Sequence, residues 1–247
     1  MRLFFTRLFL QMYLPAFSTL FQQFSGLFFP HTCAACGSAN LAGSAGICPQ
    51  CLATLPITGY LGEPGNPVEE IFWGRIPLQN AAACCFFAKK SRIQLALHQV
   101  KYHYRADAGL QLGEWMGYQL AATPWFSGID LVLPMPLHPK RLAERGYNQA
   151  ELLSRGISGV TLTPQLPGAL RRNSATKSQT KQHRHERWEN MQGVFGVADP
   201  RQLASKHVLL IDDVVTTGAT LEAMGEKLLQ VPNLTLSICC FAYTVKH

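Results

Sequence analysis

Asp212 and Asp213 are adjacent carboxylates between an apolar run (VLLI, 208–211) and a hydroxyl-rich turn around Gly218 (TTGAT, 216–220). Paired carboxylates accept hydrogen bonds from ribose hydroxyls, directly or through water bound to Mg2+. Backbone N–H groups at a helix start, joined by threonine hydroxyls, make a cradle for phosphate. Gly218 allows close backbone approach. The turn Thr216, Thr217, Gly218, Ala219 and Thr220 beside Asp212 and Asp213 therefore suits a 5-phosphoribosyl group with a metal ion. The same pattern also describes a strand followed by an N-capped helix, and acidic strand ends occur in phospho-acceptor domains.

A second set of residues could hold metal. Cys33 and Cys36 form one CxxC pair and Cys48 and Cys51 another, eleven residues apart. Two thiolates on each tight turn give four ligands for a closed tetrahedral site, which fits structural Zn2+ and leaves no open position for catalysis. A redox dithiol, an iron–sulfur cluster and disulfides are the other uses of such cysteines. Cys84, Cys85, Cys239 and Cys240 fall in apolar runs and read as small core residues.

These groups need a scaffold. The stretches 81–88, 129–136, 207–215 and 234–245 read as buried strands. The stretches 91–120 (two pieces, broken near 101–107), 148–157 and 217–230 read as helices. Alternating strands and helices predict an α/β domain with a mainly parallel sheet, and ligands on such sheets bind at the carboxyl ends of strands. The order predicts a zinc-binding module and Gly/Pro-rich linker over 31–75 and an α/β domain over 76–247. Residues 1–30 are apolar but interrupted by Arg7, Gln11, Pro15, Gln22 and Gln23, which argues against a membrane span. Phe17, Leu20, Phe21, Phe24, Leu27 and Phe28 predict an amphipathic helix that packs on the body or a partner. Membrane-surface attachment, a cleaved leader and a later start at Met12 are its alternatives. With no convincing secretion signal, the cysteines point to a reducing cytoplasm.

The net charge is +7, which favours anionic partners. Two segments concentrate it. Residues 171–189 hold six Lys/Arg against Glu186 and Glu189, and residues 89–105 hold five with no acid, beside Tyr102 and Tyr104. Basic charge interleaved with aromatics suits single-stranded nucleic acid with stacked bases. A solvated face gives the same composition.

The 208–220 stretch resembles, at all thirteen positions, the phosphoribosyl-pyrophosphate (PRPP) signature of type I phosphoribosyltransferases. The chain as a whole, from about residue 31, resembles the ComF family of competence and DNA-utilisation proteins. The resemblance runs through the four-cysteine knuckle, Lys101-Tyr102, Pro134-Met135-Pro136, Arg145-Gly146-Tyr147-Asn148-Gln149, a basic Thr/Gln loop and the signature, in that order. Pro-Met-Pro stands where Pro-Val-Pro is commoner, and RGYNQ where RGFNQ is. The resemblance implies a type I phosphoribosyltransferase-like fold with Asp212, Asp213 and 216–220 on PRPP and Mg2+. It implies that Pro134, Pro136 and the residues after them face the pyrophosphate, with Lys140 and Arg145 supplying charge. It also implies that 171–190 is a hood loop, in which Arg171, Arg172, Thr176, Lys177, Gln179 and Lys181 meet the reacting centre or nucleic acid. The expected function is support of DNA uptake or use, through single-stranded DNA or a DNA-processing or uptake protein, with a retained PRPP site. An active transferase joining a nucleobase to PRPP, releasing pyrophosphate in nucleoside metabolism, and a non-catalytic adaptor are the alternatives.

Overall fold

The computed structural model describes residues 32–39, 41, 43, 45–173 and 194–245. The readings of 1–30 as an amphipathic helix and of Thr176, Lys177, Gln179 and Lys181 as hood residues lie outside the described residues. In chain order the elements are α1 (Pro49–Ala53), α2 (Pro67–Glu70), β1 (Asn80–Phe87), α3 (Arg92–Tyr102), α4 (Ala106–Ala121), β2 (Leu131–Pro134), α5 (Pro139–Arg145), α6 (Gln149–Thr161), β3 (Leu170–Arg172), β4 (Phe195–Val197), β5 (His207–Val215), α7 (Ala219–Leu228) and β6 (Thr235–Thr244). Strands β1, β6, β5 and β2 form one parallel sheet in that order. Strands β3 and β4 form a separate antiparallel ribbon. This is the mainly parallel α/β architecture that the sequence predicts.

Both faces of the sheet are covered, so its central strands are apolar at consecutive positions. Leu209, Ile211, Cys239 and Phe241 face the layer that contains α3, α4 and α6. Val208, Leu210, Ile238 and Cys240 face α7, the β3–β4 ribbon and residues 68–76. The alternation follows from the two-residue period of a strand. Cys84, Cys85, Cys239 and Cys240 are fully buried within these layers. Helices α4 and α6 run unusually close because Gly156 lies against α4. A Cβ there would come within 2.4 Å of the Leu110 carbonyl oxygen and the Glu114 nitrogen.

Local chemistry sets the helix ends that matter for the site. The Ser91 hydroxyl accepts the Gln94 N–H at the start of α3, and Ile93, Ala96, Leu97 and Val100 give its buried stripe. The chain turns between α3 and α4 at Tyr104, whose φ is +55. Pro139 starts α5 and Gly146, with φ +75, ends it.

The stretch between the cysteines and the sheet is firmly tied. The buried Asn66 side chain accepts from Val68 N–H (2.9 Å) and donates to the Glu63 (2.9 Å) and Ala81 (2.8 Å) carbonyls, joining α2 to β1. The cysteine segment docks on α4. Arg105 donates to the Thr32 (2.7 Å) and Gly46 (3.2 Å) carbonyls, and Gln111 accepts from Ile47 N–H (2.7 Å).

Candidate phosphoribosyl and metal sites

The four thiols of Cys33, Cys36, Cys48 and Cys51 lie within 4.8 Å of one another. Cys36 and Cys48 sulfurs are 3.8 Å apart, close to the ~3.8 Å edge of a tetrahedron with Zn–S bonds of about 2.3 Å. Burial raises the Cys33 thiol, but N–H groups of Cys48 (3.3 Å) and Ala35 (3.4 Å), with Cys36, outweigh it and bring its pKa to about 6. That bias toward thiolate suits a metal ligand. Burial and the neighbouring thiols hold Cys51 well above its ordinary range, as expected of four sulfurs that need a cation between them. The cluster is compatible with structural zinc.

The diaspartate sits where the sheet becomes ragged. Strand β2 stops at Pro134, opposite Ile211, while β5 continues through Val215 beside β6 alone. The sequence places the aspartates at the end of the strand. In the fold they lie within it, at the step where one neighbour ends, and the open edge gives a ligand access. The alternation of β5 sends the two carboxylates to opposite faces. Asp213 forms an ion pair with Lys101, the penultimate residue of α3. Asp212 accepts the Asp213 N–H at 2.8 Å. Loss of surrounding water, then the Asp213 charge, push the Asp212 pKa up to about 7, while Lys101 and Arg172 pull it down. Each carboxylate offers, from its own face of β5, a hard oxygen donor of the kind Mg2+ or its bound water takes.

Beyond Val215 the chain turns into α7. Thr216, Thr217, Ala219 and Thr220 are exposed and Gly218 is buried. Gly218 has φ +74, and a Cβ on it would come within 2.5 Å of Ile71 Cγ2 and 3.0 Å of the Phe72 ring. Only glycine meets both demands. As the residue before α7, Gly218 offers no side-chain cap. The first-turn N–H groups, which an α-helix cannot satisfy itself, are therefore left for a ligand. Arg75 reaches the same turn, pairing with Glu222 at 3.2 Å.

Two clefts are lined by the aspartates' charged neighbours Arg172 and Lys101, though by neither aspartate itself. One, of about 500 Å³, lies between the proline loop (Pro134, Pro136) and the β3 strand residues Arg171 and Arg172. Arg172 stacks on Phe195 with its guanidinium 5.3 Å from the ring centre. Its buried Nε has no hydrogen-bond partner among the described residues. Burial, then the charge of Arg141, lower its pKa, while Asp212 raises it. The second cleft, of about 240 Å³, is lined by Lys101, Tyr102, Tyr104, Arg141, Glu144 and Arg145. The fold thus brings Arg172 within electrostatic reach of Asp212, while Arg145 shares a cleft with Lys101, the partner of Asp213. Lys140 lies on the exposed first turn of α5 and lines neither cleft.

Sequence reasoning gives Lys101 a place only in the basic Tyr-containing segment and in the family resemblance, gives Arg141 no role, and expects neither beside the aspartates. Lys101 stands in the basic Tyr-containing segment, and Arg141 precedes Arg145 by four residues, one helical turn. Those are the signals that would have found them. The polar chain beyond Arg172 leaves from β3 and returns at β4, where Asn173 N–H donates to the Val194 carbonyl at 2.8 Å.

Residues 143–245 match the phosphoribosyl transferase domain. DNA utilization protein YhgH of Shigella flexneri is 26% identical over 216 residues, covering 86% of this chain and 90% of that protein. Competence protein F of Haemophilus influenzae is 34% identical over 100 residues, covering 40% of this chain and 44% of that protein. Among solved structures, glutamine PRPP amidotransferase from B. subtilis matches with a TM-score of 0.41 and 14% identity, over 57% of this chain and 30% of that one. Among the described residues no helix is long and apolar enough to cross a membrane. The matched domain, the relatives and the cysteine cluster ahead of a parallel sheet agree with the ComF-family resemblance: the chain is similar to proteins named for competence and DNA utilisation and has a phosphoribosyltransferase-like fold.

Proposed function

We propose that this protein supports DNA uptake or use in the cytoplasm, binding single-stranded DNA or a DNA-processing partner, and that its diaspartate turn binds PRPP with Mg2+. The observation that carries the PRPP reading is the arrangement around β5. Paired carboxylates stand at the ragged edge of the sheet, and an uncapped helix start with a buried positive-φ glycine follows within five residues. In this reading the ribose hydroxyls and Mg2+ engage Asp212 and Asp213, and the 5-phosphate sits on 216–220. Pro134, Pro136, Arg145 and Arg172 face the diphosphate end. Mg2+, when bound, would neutralise charge on the diphosphate. The chain's own part is to orient the ribose, offer N–H groups to the phosphate and place guanidinium groups where negative charge develops.

The DNA reading rests on the relatives named for competence and DNA utilisation. It is supported by Tyr102 and Tyr104, 57% and 71% exposed among basic side chains. Calorimetric titration of PRPP with Mg2+ into the wild type and into Asp212→Asn/Asp213→Asn tests the site. Binding to the wild type that disappears in the folded, zinc-loaded variant is the expected result, and no binding to the wild type overturns it. Oligo(dT) binding that weakens steeply with salt is expected of the DNA reading, and failure to bind any single strand at low salt refutes it. Pyrophosphate release that requires one particular nucleobase would instead favour an active transferase.

A further inference from the structure

The corner between α3 and α5 carries more positive charge than its own groups can balance. Lys101, Arg141 and Arg145 face one cleft, and Glu144 is its single acid. Arg145 is already held in place. It donates to the Gln149 side-chain oxygen (2.8 Å) and lies over Tyr102, 5.1 Å from the ring centre. Tyr104 occupies left-handed backbone space, rare for a bulky residue, and its hydroxyl donates to the Glu144 carbonyl at 3.4 Å. The corner is therefore a wall of cations and phenols in which Arg141 and Arg145 outnumber Glu144, and it suits an anion.

Lys101 belongs to two places at once. Its ammonium pairs with Asp213, and its stem lines the cationic corner. A divalent cation on Asp213 would repel the ammonium, and a four-carbon stem lets the charge relocate without moving α3. We propose that Lys101 is an exchange residue: it yields Asp213 to a divalent cation and turns into the corner to hold the diphosphate that the cation brings. This rests on the PRPP reading of the site. It adds that the diphosphate is gripped from the α3–α5 side as well as from the proline loop, and that metal displaces and diphosphate recruits the same lysine.

The test uses the full chain, zinc-loaded, with Lys101→Met and Lys101→Arg, and three probes: Mn2+ alone, inorganic diphosphate with Mg2+, and ribose 5-phosphate. Melting temperature and zinc content confirm folding. The exchange predicts opposite shifts in Lys101→Met. Mn2+ binds at least threefold more tightly because Asp213 has lost its competitor, while diphosphate with Mg2+ binds at least tenfold more weakly. Lys101→Arg keeps diphosphate binding within about threefold, and ribose 5-phosphate is unchanged in both. A purely structural ion pair would weaken Mn2+ and diphosphate together, and that result overturns the proposal. So does loss of oligo(dT) affinity in Lys101→Met with diphosphate untouched, which would assign the corner to DNA. If the wild type binds ribose 5-phosphate but the variants show no opposite shift, the exchange alone fails. If the wild type binds neither ribose 5-phosphate nor diphosphate, the PRPP reading fails with it.

Discussion

Removing the charge of Asp212 should make the protein more stable and abolish the proposed binding of PRPP. The carboxyl has its pKa raised from an ordinary 3.8 to about 7, chiefly because β5 carries it away from water and secondly because Asp213 is adjacent. A shift of that size corresponds to about 4 kcal/mol for a group fully shielded from solvent. Asp212 keeps part of its surface in water, and solvent screening reduces the cost to on the order of 2 kcal/mol. The folded state holds this proton more tightly than the unfolded chain. Between the two pKa values it therefore binds more protons, and stability falls as pH rises through that window. The penalty is absent below 3.8 and complete above about 7. Asp212→Asn lacks it. Without ligand, the variant should melt roughly 4–8 °C above the wild type near neutral pH. Its stability advantage should be about half again as large at pH 8.5 as at pH 6. Denaturant unfolding of zinc-loaded protein across that range gives both numbers, with PRPP titration as the companion assay. An Asn variant that is less stable than the wild type, or whose advantage does not change with pH, refutes the account of Asp212 as a strained carboxylate awaiting a cation.

The same carboxyl makes ligand binding release protons. With a pKa of about 7 in the ligand-free protein, PRPP and Mg2+ should expel about half a proton at pH 7, read by calorimetry in buffers of different ionisation enthalpy. Gly218→Ala puts a Cβ 2.5 Å from Ile71 at φ +74. It should cost about 1–3 kcal/mol in denaturant unfolding and weaken ribose 5-phosphate by at least tenfold. Zinc removal by chelator, or Cys33→Ser, should lower the melting temperature and raise protease cleavage within 32–56, with zinc content measured alongside. Arg105→Ala, which unties the Thr32 and Gly46 carbonyls from α4, should destabilise by about 1–3 kcal/mol without removing the zinc.

Much of this protein is decided by local pattern. Nine consecutive residues, HVLLIDDVV, form β5 end to end as the sequence predicts, because a strand buried on both faces is apolar along its covered length and tolerates carboxylates where a neighbouring strand ends. The broken helix over 91–120 was equally legible, since Ser91 caps it and its apolar stripe stops at Val100. The cysteine pairs declare their cluster because CxxC geometry is local. The short α5 and the three-residue strands β3 and β4 were not read, because pieces of that length carry too few periods of hydrophobicity to stand out. What only the tertiary structure decided is who meets whom. The end of β2 at Pro134, which opens the edge beside Asp212 and Asp213, depends on pairing between strands 77 residues apart. The Lys101–Asp213 ion pair and the contact of Ile71 and Phe72 with Gly218 join segments more than 100 residues apart. No local period encodes such contacts. They arise because helices must cover both faces of one parallel sheet, and covering it sets the ends of α3 and α5 and the 68–76 segment around the same carboxylates.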